Sequence, residues 1–145
     1  MSKALPSNIH FDGEFFFEYQ IQIKETDMYM GIHLSNDKAL AFITEMHGAY
    51  LKSKDMAFDN VAGFGLFFKT SFVKYMKEVI YPETLTLRIG IHEVDCFRIC
   101  FYHENLNSKG EVCQKALIEC VYVDKEKRKP VTADKALSAY QGILE

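Results

Sequence analysis

"ETDMYMGIHLSNDKALAFITEMHGAYL", residues 25–51, is the stretch on which the fold turns. Its second half carries Ala39, Leu40, Ala41, Phe42, Ile43, Met46, Ala49, Tyr50 and Leu51, which on a helix cover nearly every angular position. Ser35, Asn36 and Asp37 are all competent N-caps, so the sequence predicts a helix from about Asn36 to Lys52. A helix apolar all round must be surrounded by protein. Its one mid-helix acid, Glu45, is then expected to be buried, where a carboxylate is costly unless it meets a partner, water or a substrate. The loop before the helix holds Asp27, His33 and Asn36: a carboxylate, an imidazole and an amide.

Working outward, "FFFEYQIQIK" (15–24) is aromatic and alternates toward its end, as a strand does. Residues 25–36 read as a loop. Beyond the polar connection "LKSKDMAFDN" the chain is strand-rich. "GFGLFFKTSFVKYMKEVIY" reads as a long strand or a bent pair, broken at Pro82. "TLTLRIGIHEV" puts Leu85, Leu87, Ile89 and Ile91 on one face, and "FRICFYHEN" follows a turn at Asp95. "NSKG" is a turn, and "EVCQKALIECVYVD" is a further strand. "TADKALSAYQGILE" reads as a short amphipathic helix capped by Thr132. The organisation expected is a tail over 1–14, one domain over 15–131 and a C-terminal helix over 132–145. One strand, one buried helix and about four antiparallel strands are reconciled by an α+β fold in which a single curled sheet wraps the helix.

Composition bounds the function. The 145 residues suffice for one domain with a real core, and a net charge of −3 supplies no basic field for nucleic acid. The basic run Lys125–Lys129 is short and stops at Pro130, as a solvated turn would, though a small basic patch could also hold a few phosphates of a cofactor. Cys96, Cys100, Cys113 and Cys120 lie in apolar runs with no CxxC pair, which fits free thiols in a reducing cytoplasm. His92, Cys96, Cys100 and His103 fail as a metal set, because along a strand Cys96 and Cys100 share a face that His103 does not. No stretch is apolar for long enough to be a signal peptide or a membrane span.

Three segments together resemble a known family. The hotdog-fold acyl-CoA thioesterases of the 4-hydroxybenzoyl-CoA thioesterase type often carry Asp-x-Asp-x-x-Gly-His-Val-Asn-Asn before an aromatic-rich helix that contains Glu. Without gaps, Asp27 falls on the first Asp, His33 on the His, Asn36 on the second Asn and Glu45 on the helix Glu. "VKYMKEVIYPETLTLRI" is similar to the family's "IxYLRPxxxGDTLxVxT", and "VDKEKRKPV" to its closing "VDxxTGRPV". The resemblance covers roughly residues 15–131. Tyr29 stands where the second, catalytic Asp is usual, Ile32 where Gly is usual, and Ser35 at the first Asn. A one-residue slip would bring Gly31 onto the motif Gly and move Asp27 nearer the catalytic position; both registers stay open.

The resemblance implies a hotdog fold, a homodimer or homotetramer with its sites at the dimer interface, and hydrolysis of an acyl-CoA or acyl-carrier thioester. Coenzyme A then enters as part of the substrate, and no resident cofactor or metal is expected. Thioester hydrolysis needs a base, oxyanion donors and room for the acyl group. Asp27 or Glu45 is the candidate base, His33 the residue that orients water or shares its proton, and Tyr29 and Asn36 are candidate substrate contacts. The start of the helix offers free backbone N–H groups. Tyr29 in the carboxylate's place also motivates an alternative, a hotdog protein that binds acyl thioesters without turnover. A hotdog dehydratase fits less well, since no proline occurs between Asp12 and Asp59.

Overall fold

The computed structural model describes residues 9–94 and 97–131. Along the chain come β1 (Phe15–Gln22), a 3-10 turn (Glu25–Asp27), β2 (Met28–Tyr29), β3 (His33–Leu34), α1 (Asn36–Ser53) and β4 (Gly65–Tyr75). Then follow β5 (Thr84–Val94), β6 (Arg98–Leu106), β7 (Val112–Asp124) and β8 (Lys129–Pro130). The long strands form one antiparallel sheet in the order β1-β5-β6-β7-β4, with the short β8 beside β7, while β2 and β3 pair with each other. Every long pairing carries one register irregularity, at Phe15/Phe17, Phe68/Thr70, Ile91/Glu93 and Asn105/Leu106. Bulges bend a strand and increase its twist, and these curl the sheet over α1.

The helix buries Ala39, Phe42, Ile43, Met46, His47, Tyr50 and Leu51, the i, i+3, i+4, i+7 stripe of an amphipathic helix. Leu85, Leu87 and Ile89 of β5, Phe101 of β6 and Ile118 of β7 receive it, all fully buried. Ile43 and Leu51 each contribute about 1.5–3 kcal/mol by leaving water. The helix ends where Asp55 turns left-handed (φ 57°) and the Met56 N–H returns to the Leu51 carbonyl at 2.8 Å.

Two expectations need correction. The helix is not enclosed all round in the chain: Asp37, Ala41, Thr44, Glu45 and Lys52 form an exposed outer face, so Glu45 is not buried. Alanine made that face look apolar in sequence, yet a methyl group loses little by meeting water. Residues 25–36 are not an irregular loop but a 3-10 turn and a small hairpin. Of the two readings of "GFGLFFKTSFVKYMKEVIY", the single long strand holds, and it stops at Tyr75. Cys96, the turn at Asp95 and the C-terminal helix from Thr132 lie outside the described residues. Cys100, Cys113 and Cys120 are buried and free. Among the described residues no helix is long and apolar enough to cross a membrane.

Candidate functional site

The hairpin ahead of α1 is built by its turn. Tyr29 and His33 face each other across Met30, Gly31 and Ile32, and the Ile32 N–H reaches the Tyr29 carbonyl at 3.1 Å. Met30 (φ 54°) and Gly31 (φ 70°) both take the left-handed backbone that a tight hairpin turn demands, and glycine does so without strain. The hairpin is tied down on both sides. Leu34 N–H bonds to the Val79 carbonyl at 2.9 Å, and Ser35 N–H to the Asp27 carbonyl at 3.0 Å.

These ties open a half-enclosed pocket of about 300 Å³ at the start of α1. Its walls are His33–Asn36, Tyr75 at the end of β4 with the Met76–Val79 segment that follows it, and Gln114 of β7. His33 Nδ1 lies 3.5 Å from Glu78 Oε1. The Ser35 hydroxyl bonds to the Asp37 carboxylate and does not itself cap the helix. That hydrogen bond holds the Asp37 carboxyl below its ordinary value. The Tyr75 hydroxyl donates to the Asn36 carbonyl at 2.8 Å and ties the end of β4 to the helix. Burial, then the nearby Asp37 charge, raises the Tyr75 hydroxyl above its ordinary value, so it stays a donor. Chemically, the pocket presents an imidazole with a carboxylate beside it and the positive end of a helix.

Asp27 and Glu45 are elsewhere. They share a second groove, about 460 Å³, between β1 and α1 with Lys24 and Lys38. Asp27 is buried; its Oδ2 accepts the Lys24 N–H at 2.9 Å and its Oδ1 lies 3.7 Å from Lys38 Nζ. Glu45 is exposed, and its hydrogen bond with Tyr19 raises that hydroxyl above its ordinary value. Tyr29 is exposed beside the pocket, its ring 6.0 Å from that of His33. The structure therefore joins His33 with Asn36, and Asp27 with Glu45, in two separate places. Sequence reading passed over Glu78, Tyr75 and Gln114. The signal for Glu78 was an acid in "MKEVIY" just after a strand; Gln114 gave only a polar residue at an inward position of one.

A family model, the thioesterase-like superfamily, matches residues 21–140. The chain belongs to this superfamily. Among solved structures it is similar to a DHNA-CoA thioesterase from Staphylococcus aureus, at 15% identity over 88% of this chain and 87% of that one, with a TM-score of 0.74. It is similar also to a 1,4-dihydroxy-2-naphthoyl-CoA thioesterase from Synechocystis, at 16% identity over 89% and 96%, with a TM-score of 0.75. A third, a hypothetical protein from Staphylococcus aureus in complex with CoA, shares 12% identity over 94% and 86%, with a TM-score of 0.75. At such identities the likeness is one of fold, and it bears out the hotdog architecture. No curated protein matches the sequence.

Proposed function

We propose that this member of the superfamily is a thioester hydrolase that cleaves an acyl-CoA or acyl-carrier thioester in the pocket at the start of α1. The observation that carries the reading is the His33–Glu78 pair, 3.5 Å apart, on the same pocket as the start of a long helix. Water held by His33 attacks the thioester carbonyl carbon while the imidazole takes its proton, and Glu78 steadies the imidazolium that forms. The carbonyl oxygen becomes an oxyanion facing the first-turn N–H groups, where the helix dipole favours negative charge. Collapse breaks the C–S bond, the proton passes to the thiolate, and a free acid and a thiol leave. Asn36 contributes through its place at the helix start. Asp27 supports the site from behind by holding the 3-10 turn and Lys38. No resident cofactor or metal takes part.

The same reading makes the chain a homodimer or homotetramer. β4 is an edge strand with no further strand paired on its outer side among the described residues. Tyr29, Met30, Ile32, Tyr75 and Met76 expose large apolar surface around the pocket. Unpaired edges and apolar patches of this kind call for a covering partner. Buried free thiols support a cytoplasmic setting.

A panel of acyl-CoAs with a thiol reagent tests the function directly. Turnover that disappears in His33→Asn supports the assignment. Tight binding without turnover of any member would make the protein an acyl-thioester binder instead. Sedimentation at micromolar concentration reads the assembly, and a monomer there would contradict it.

A further inference from the structure

The floor of the α1 pocket is made by a residue that the hydrolytic step does not use. Gln114 is only 4% exposed, yet it lines the pocket with His33, Asn36 and Tyr75. On β7 it stands in register with Tyr75 of β4 on one side and with Asn105 of β6 on the other. Asn105, 1% exposed, donates from Nδ2 to Gln114 Oε1 at 2.9 Å. This bond turns the Gln114 oxygen toward the core and leaves its Nε2, with two N–H donors, to the pocket. The Asn105 Oδ1 is buried without a partner. Beside this floor, Leu34 and Val79 are buried apolar walls.

Two carboxamides are an expensive way to fill a sheet interior. Asn105 faces Leu87 across β5, and the next inward positions on β7 are Ala116 and Ile118. Leucines would suit such surroundings without any polar group to satisfy. What the amide pair supplies, and leucine cannot, is a donor of fixed direction at the bottom of a pocket with apolar sides. A saturated acyl chain seated there would cover that donor and leave it unanswered. An acyl group with an oxygen at that depth would answer it.

We propose that Gln114 is a specificity residue, selecting acyl groups that carry an acceptor oxygen beyond the thioester carbonyl over plain hydrocarbon chains. Asn105 is its positioning residue, holding the amide so that the donor faces outward. The inference rests on the pocket being where the acyl thioester binds, and it narrows the substrate class of that site.

Matched pairs of thioesters test it: 3-hydroxybutyryl-CoA against butyryl-CoA, and succinyl-CoA against pentanoyl-CoA. The readout is the ratio of kcat/KM within each pair in one protein preparation, so a loss of folded protein cancels. The parent should favour the oxygenated member by about tenfold, the worth of one buried hydrogen bond. Gln114→Leu should bring the ratio near one. Gln114→Glu keeps the oxygen that Asn105 holds and replaces the donor with an acceptor, so it should invert the ratio for the succinyl pair, whose carboxylate can only accept, while the 3-hydroxyl group can still donate to it. Asn105→Leu should lower the ratio as well; a merely structural role would lower both rates together and leave the ratio intact. Titration calorimetry with the unreactive thioether analogues of the same pairs reads the preference without turnover. Preference in binding with no hydrolysis would overturn the hydrolase reading and keep the role of Gln114. Hydrolysis with no preference in the parent, or a preference that survives both Gln114 variants, would overturn the inference alone. Neither binding nor hydrolysis would overturn both.

Discussion

At the start of α1, His33 stands partly exposed beside the Glu78 carboxylate on the wall of an open pocket. In the middle of the same helix, His47 is sealed against the sheet with His103 of β6, their ring centroids 6.3 Å apart. Both are fully buried, and none of their four ring nitrogens has a hydrogen-bond partner. Phe101 meets His47 edge-on at 4.6 Å, and Phe58 and Phe68 complete an aromatic box. The register neighbours of His103, Ile89 and Ala116, are apolar. Burial alone holds His47 down at about 3, and burial together with His47 holds His103 well below its ordinary value. One histidine therefore sits open to water beside a carboxylate; the other two stay neutral as core residues. The residue type is the same, and access to water and to a carboxylate separates the roles.

The sharpest way to break this contrast is to remove the pocket histidine. His33→Asn should lower kcat by about 10²–10⁴-fold, the worth of a positioned general base, with little change in melting temperature. A variant that melts early but still turns over at the parent's rate would make His33 structural.

Acid should expose the other side of the contrast. Above the ordinary histidine value of 6.5 both folded and unfolded chains hold His47 neutral, so its contribution does not vary with pH. Below 6.5 the unfolded chain takes up protons that the folded one refuses, and stability falls as pH drops toward 3. Each buried histidine should add about 1.4 kcal/mol per pH unit to that loss. Urea unfolding at a series of pH values, in the parent and in His47→Leu, isolates the effect from that of the carboxylates. The variant should show a shallower slope with no penalty at neutral pH, because no hydrogen bond is lost. Equal slopes would show that the box is wetter than its packing implies.

Asp27→Asn should do less. It weakens the hold on the Lys24 N–H and on Lys38, and should cost about 1–2 kcal/mol in denaturant unfolding, with a smaller loss of kcat than His33→Asn. If kcat instead falls further than in His33→Asn, the base is the carboxylate in the groove. Smallest of all, Glu45→Gln should change stability by no more than about 0.5 kcal/mol and leave kcat near the parent's, since Glu45 is exposed on the outer face.

Much of this is legible in the sequence alone. The helix bounds followed from the cap residues Ser35–Asp37 and the length of the apolar run, because capping and periodicity act locally. Alternation at Leu85, Leu87 and Ile89 showed a strand with one buried face, and these residues do line the core. His33 could be singled out because the loop motif is contiguous. His47 could have been found too, as it lies four residues from both Ile43 and Leu51 on the buried stripe. Glu45 misled because alanines beside it on the outer face imitate a core.

What the sequence by itself determined, then, is the long helix with its start, the long strands and the chemical types gathered ahead of that helix, since these depend on neighbours within a turn or two. What only the tertiary structure decided is which of those groups meet. Glu78 and Gln114 reach His33 through the β4/β7 register and the bond from Leu34 to Val79, while the groove between β1 and α1 draws Asp27 away from it. Register and curl come from bulges and from packing summed over the whole sheet, and no short stretch of the chain carries that sum.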